Sequence, residues 1–292
     1  MLLTQVLLLF KGVKGALYAI VYKIKRKGDP PLPSFNGQLI LSAVFWLGGF
    51  EKEGPALRAN LLKFWIGIWM TCAGFAVAQD RPAVLLELFT SQGCSSCPAA
   101  DTLFRDVLSK RSDLLTLSLH VDYWDYIGWK DSFAKRQFTT RQKTYAQRAG
   151  RKSVYTPQVI VNGQEHVVGS NAKAINDAVA RAAQNPRRAV LTLLKASHLI
   201  TATLEGNAVG TGAAVDVFAF YYKPKGKVAI QAGENAGQTL TYSNVVIEIT
   251  PLGVWNGKGV WSKTFQPRSD MQLVVVAQQA NHGAVLAAAR AR

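Results

Sequence analysis

The sequence predicts an α/β domain carrying a helical insertion, followed by an all-β, sandwich-like unit. Three observations carry this reading. Between residues 81 and 186, apolar runs fit for buried strands alternate with helix-period segments. A basic, helix-spaced stretch at 122–156 interrupts that alternation. From 187 to 292, short strand-like segments separated by Gly and Asn replace the helices.

The elements follow in order. Ala83 to Phe89 is apolar except for Glu87, and Thr90 to Gly93 makes a polar turn. A helix follows with Pro98 in its first turn, where a missing N–H costs nothing, and Leu103, Phe104, Val107 and Leu108 form its apolar face. Leu114 to Val121 is the next strand. In the insertion, Ala134, Phe138, Arg141, Tyr145 and Ala149 lie at helical spacing, and Gly150 ends the run. Gln158 to Val161 and Gln164 to Val168 pair across an Asn162–Gly163 hairpin turn. Ser170 is the expected N-cap of a last helix whose Ile175, Ala178, Val179 and Ala182 share a face. Beyond Asn185–Pro186, strands are expected at Val190 to Leu194, Leu199 to Leu204, Val215 to Tyr222, Leu240 to Ile249 and Leu273 to Gln278.

The N-terminal region reads differently. Residues 58–78 have the parts of a secretory signal: Arg58 and Lys63, an apolar core from Phe64 to Phe75, and Ala76–Val77–Ala78 before Gln79. The apolar core is shorter than the ~20 residues of a membrane span. Residues 1–57 precede it, either as an upstream start-site error or as a real extension that reaches the membrane. The expected location is periplasmic or secreted, with membrane contact only through an uncleaved N-terminus. Nine of the 34 basic and three of the 18 acidic residues fall before Gln79, so the remainder is still basic. Its basic residues are interleaved with apolar and polar ones, which does not make a nucleic-acid-binding block.

The cysteines point to chemistry. Cys72 falls inside the signal, which leaves Cys94 and Cys97 as the possible intramolecular bridge. Haem attachment requires a His directly after the second Cys, and Pro98 is there instead. Zinc would need two further ligands, and four scattered His do not supply them. No metal or other cofactor is expected. A strand, a turn and then Cys94 at the start of a helix would bring unpaired N–H groups and the helix dipole to a thiolate. Those influences lower a thiol pKa from about 8.5 and create a nucleophile. Cys97, one turn in, would resolve the mixed disulfide, and small Ser95 and Ser96 leave Cys94 approachable.

This strand order, with Tyr155–Thr156–Pro157 leading into a hairpin, resembles the thioredoxin superfamily. The resemblance implies a thioredoxin-like domain at 81–186, with Pro157 as a cis proline facing the cysteines and Thr156 flanking it to present backbone to a substrate. The segments Glu87 to Cys94, His120 to Asp125 with Gly128–Trp129, and Gly233–Glu234–Asn235–Ala236–Gly237 are further similar to a secreted bacterial family known only as a domain of unknown function. Glu87 lies near where thioredoxins bury a proton-relaying acid, or is an ordinary strand-end carboxylate. Trp124 and Trp129 either wall the site or pack in the core.

The function expected is exported thiol–disulfide exchange through Cys94 and Cys97 on a thiol- or disulfide-bearing partner. Two alternatives remain: Cu(I) binding by the two Cys, joined by His120, and a non-catalytic interaction module with an inert disulfide.

Overall fold

The computed structural model describes residues 5–11, 17–23, 83–185, 188–208 and 214–291. The expected signal at 58–78 and most of the 1–57 extension lie outside them. The chain divides into two compact units, Met1–Ala76 and Val77–Arg292. In the first, β1 (Gln5–Lys11) pairs antiparallel with β2 (Leu17–Lys23).

The second unit is built on β3 (Val84–Thr90) and β4 (Leu114–His120), a parallel pair with every residue buried. Strands buried on both faces need a cover on each. On one face, α1 (Pro98–Asp106) and α3 (Ala172–Gln184) pack Ala100, Phe104, Ile175 and Ala178 against Val84, Leu86 and Leu88. On the other, α2 (Arg136–Arg148) packs Phe138 and Tyr145 against Leu85, Phe89 and Leu117. Asn171, not Ser170, caps α3, its side chain accepting from Ala174 N–H at 3.0 Å. β5 (Gln158–Val161) and β6 (Glu165–Val168) extend the sheet beyond β3.

A thioredoxin-like α/β domain with a helical insertion, followed by a separate β-sandwich, is not what forms. The strands of both halves make one mixed eight-stranded sheet, ordered β13 (Val285–Arg290), β12 (Gln272–Gln279), β9 (Val215–Ala229), β10 (Thr239–Trp255), β4, β3, β5, β6, and the described residues hold three α-helices. The joint is β10 (Thr239–Trp255), which runs parallel to β4 with Val245 opposite Ser118. Ser118 Oγ donates to Ser243 O at 2.9 Å, and Asn244 Nδ2 donates to Thr116 Oγ1 at 2.9 Å across the same joint. The physical reason lies in β4, a fully buried strand whose backbone donors and acceptors could not be left unpaired at an edge.

β9 (Val215–Ala229), β12 (Gln272–Gln279) and β13 (Val285–Arg290) complete this sheet. Along β9, Phe218, Phe220 and Tyr222 turn to the α2 side, while Val217, Ala219 and Tyr221 turn to the opposite face. There they meet Ala202 and Leu204 of β8 (Leu199–Asn207), the middle strand of a three-stranded sheet with β7 (Ala189–Ala196) and β11 (Lys258–Phe265). Among the described residues, no helix is long and apolar enough to cross a membrane.

Candidate functional site

β3 delivers the chain to the site. After Thr90, Gly93 N donates to Ser91 Oγ at 3.1 Å and Cys94 N to Ser91 O at 3.3 Å. Cys94 and Cys97 form a disulfide with their Cα atoms 5.4 Å apart, closing a turn in which Cys97 N donates to Cys94 O at 3.2 Å. Cys97, rather than Cys94, is the N-cap of α1, and Pro98 takes the position where its missing N–H is harmless. Cys94 lies in the turn just before the helix. It is also more enclosed than the sequence suggested, at 1% exposure, with Cys97 at 0%; Ser95 and Ser96 between them are exposed. Cys94 Sγ lies 3.4 Å from Ser96 Oγ, a hydroxyl able to donate to a thiolate.

Two separate segments fix this turn. From the loop after β4, Asp131 Oδ2 accepts from Gln92 N at 2.7 Å. Trp129 Nε1 donates to Gln92 Oε1 at 2.8 Å. From the loop joining β9 and β10, buried Asn235 donates Nδ2 to the carbonyls of Gln92 and Cys94, at 2.9 and 3.0 Å. Beside it, Glu234 Oε2 accepts from Ser95 N at 3.2 Å. Gly93 leaves little room for a side chain, since a Cβ there would lie 3.1 Å from Ile127 Cδ1 and 3.3 Å from Trp124 O.

The Thr156–Pro157 bond is cis. Trp124 Nε1 donates to Thr156 Oγ1 at 2.7 Å, which ties the loop after β4 to this segment. Gly169 fits between Pro157 and α1: a Cβ there would be 2.9 Å from Pro157 Cβ and 3.2 Å from Ala100 Cβ. The structure thus brings Thr156 to Trp124, Trp129 to Gln92, and Pro157 alongside the first turn of α1.

Glu87 is not among these groups. Strand side chains alternate, and Glu87 shares the α2 face with Leu85 and Phe89, whereas α1 lies on the other face. There its Oε1 accepts from Arg141 Nε at 2.6 Å and its Oε2 from Arg141 Nη2 at 3.0 Å and from Tyr145 OH. Gln278 completes the network, accepting from Arg141 Nη2 at 2.8 Å. The guanidinium pKa is pulled down by burial and raised more strongly by Glu87 and Tyr145, so Arg141 stays charged.

The acid on the cysteine side is Asp101, which no motif in the sequence marks. It lies one helical turn after Cys97, its N–H donating to Cys97 O at 3.1 Å. Thr90 Oγ1 donates to its Oδ2 at 3.1 Å. Burial pushes this carboxyl from 3.8 up to about 7, against the opposing pull of His120 and the Thr90 hydroxyl. His120, wholly buried, shares a 2.7 Å hydrogen bond between Nδ1 and Asp131 Oδ2, and its ring meets Tyr242 edge-on at 4.7 Å. Asp101 Oδ1, His120 Nε2 and Tyr242 OH have no hydrogen-bond partner among the described residues. The spacing from Cys97 to Asp101 was a usable signal; the convergence of α1, β4 and β10 on one buried polar cluster was not.

Among the described residues, no group of three or more His, Cys, Asp or Glu is arranged to hold a metal ion. No curated protein matches the sequence. A crystal structure of a protein from Agrobacterium tumefaciens is similar, with a TM-score of 0.62 at 30% identity over 73% of this chain and 95% of that one. HBP35 of Porphyromonas gingivalis is similar at 16% identity and a TM-score of 0.47, over 72% of this chain and 75% of that one. Residues 85–284 match the family described as protein of unknown function (DUF1223), and the match spans the disulfide, the buried acids and the Asn235 loop. The chain belongs to this family.

Proposed function

We propose that the protein is an exported thiol–disulfide exchange protein working through Cys94 and Cys97 on thiol- or disulfide-bearing partners. The observation that carries this reading is the Cys94–Cys97 disulfide at the start of α1, in a turn held by Asp131 and Asn235 from two distant segments. A bridge of three-residue separation closes too short a loop to restrict the unfolded chain much. Such a bridge is better suited to chemistry than to stability. Export is supported by the signal-like residues 58–78 and by the use of a disulfide at all.

In the reducing direction, the Cys94 thiolate attacks one sulfur of a substrate disulfide. A mixed disulfide forms and the first substrate thiolate leaves. Cys97 then attacks Cys94 Sγ, the Cys94–Cys97 bond re-forms, and the second substrate thiolate leaves. Two electrons pass from the protein to the substrate, and the protons of the two cysteines end on the released thiols. Ser96 and the N–H groups at the start of α1 favour sulfur in its charged form.

The test is equilibration with glutathione and its disulfide, with alkylation quenching and peptide mass identifying each cysteine. A reversible two-electron interconversion of Cys94–Cys97 supports the reading. A disulfide that no glutathione or dithiol buffer opens would favour a non-catalytic interaction module.

A further inference from the structure

The Gly233–Gly237 loop, between β9 and β10, lies across the disulfide turn. Gly233 takes a φ of +79°, and a Cβ there would be 3.2 Å from Trp129 Cβ and 3.3 Å from Ile127 O. The backbone is therefore packed down on the segment that also carries Asp131. Asn235 anchors the loop through two carbonyls, and this sets Glu234 beside the exposed Ser95–Ser96 pair.

Glu234 Oε2 accepts from Ser95 N, the amide immediately after Cys94. Covalent geometry keeps that amide within about 5 Å of Cys94 Sγ. The carboxylate is thus within about a Debye length of the sulfur at physiological salt. The other carboxylates around the turn, buried Asp131 and Asp101 and half-buried Asp125, are already engaged. Asp131 is held by His120 and Gln92 N–H, Asp125 accepts from Asp131 N–H, and Asp101 accepts from Thr90.

We propose that Glu234 is a positioning residue that biases Cys94–Cys97 toward the disulfide, so that the protein acts as an electron donor in thiol exchange. The proposal rests on the exchange reading of the same cysteines. A carboxylate on the Ser95 amide occupies a donor that would otherwise help stabilise a Cys94 thiolate, and it adds a like charge nearby. Both effects raise the free energy of the reduced, ionised protein and leave the uncharged disulfide unaffected.

The experiment compares Glu234→Gln with the unaltered chain, since glutamine keeps an oxygen for the Ser95 N–H and removes the charge. In a Cys97→Ala background, the alkylation pH profile of Cys94, read by peptide mass to keep Cys72 apart, should move to lower pH on Glu234→Gln. With both cysteines present, Glu234→Gln should raise the reduced-to-oxidised ratio about 2- to 30-fold at about pH 9, the range Coulomb's law gives for unit charges about 8 Å apart between solvent-like and surface dielectric. The gain should fade as pH falls below the range in which the alkylation profile shows Cys94 ionising, and the difference at high pH should shrink in 1 M salt. An identical Cys94 profile in the two proteins, or a difference independent of pH and salt, would overturn the role of Glu234. Failure of the exchange reading looks different: no resolution by Cys97 in the unaltered chain, with the Cys94 profile still shifted by Glu234→Gln.

Discussion

Asn235 donates its side-chain amide to the carbonyl of Cys94 at 3.0 Å, although 141 residues separate them in sequence. The same amide reaches Gln92 O, so one buried side chain holds both ends of the Gln92–Cys94 segment. Asn235→Ala removes both donors from carbonyls with no access to water. It should cost about 1–3 kcal/mol in urea unfolding. It should also speed reduction of Cys94–Cys97 by dithiothreitol, because the turn loses its clasp. Unchanged stability together with an unchanged reduction rate would show that the loop does not hold the turn.

The Glu87–Arg141 pair predicts a stability effect separate from the cysteines. Arg141→Met leaves the Glu87 carboxylate buried without its partner and should destabilise the protein by about 3–5 kcal/mol. Adding Glu87→Leu to Arg141→Met should recover much of that loss, since a well-packed apolar pair replaces a buried ion pair at little cost. Glu87→Gln should leave the pH profile of exchange at Cys94–Cys97 unchanged, because Glu87 faces α2 and not α1. Urea titration of the three variants, with exchange assayed alongside, checks all of these outcomes.

Asp101 predicts a pH dependence with a definite sign. Its carboxyl is raised from 3.8 to about 7 by burial, so between those values the folded protein holds a proton that the unfolded chain has released. Stability contributed at this site therefore falls as pH rises through that window, and the loss is complete above about 7. At about 1.4 kcal/mol per pKa unit, the full effect is roughly 4 kcal/mol. His282, lowered from 6.5 to about 4 by burial and by Arg141, works in the opposite sense, costing stability as pH falls through its window. The informative quantity is thus the difference between Asp101→Asn and the unaltered chain. Asparagine should gain relative stability from pH 4 to pH 7.5; a flat difference would mean that Asp101 ionises freely.

Export carries its own prediction. Protein recovered from the periplasm of a bacterial host should begin at or near Gln79, by intact mass. An intact Met1 terminus in the membrane fraction would contradict cleavage after Ala78.

The local signals in this sequence were legible where one segment settles the structure. The apolar run before Thr90, Pro98 after Cys97 and the Asn162–Gly163 turn each mark an element from neighbouring residues alone, and Asn162 and Gly163 do adopt positive φ. The sheet was not legible as a whole. Nothing in Ser118 or Val245 signals that they face each other across a parallel joint, so the two halves read as separate domains. Glu87 shows the same limit at smaller scale. The thioredoxin resemblance offers it as a relay acid, with an ordinary strand-end carboxylate as the alternative, and the one-residue alternation of the strand sends it to Arg141. Asp101 and Asn235 matter only through partners on other elements, and single polar residues on distant segments leave no periodicity to read.

Attack by Cys94 and resolution by Cys97 can be read from intact mass in a single time course. The reduced protein is mixed with glutathione disulfide, and its intact mass is followed in time for the unaltered chain, Cys94→Ala and Cys97→Ala. The unaltered chain should pass through a glutathione adduct on Cys94 and return to the Cys94–Cys97 disulfide, releasing two glutathione molecules. Cys97→Ala should stop at the Cys94 adduct, and Cys94→Ala should form little adduct on Cys97. A glutathione adduct that persists on the unaltered chain, or that forms equally at the two cysteines, would contradict thiol–disulfide exchange at this site.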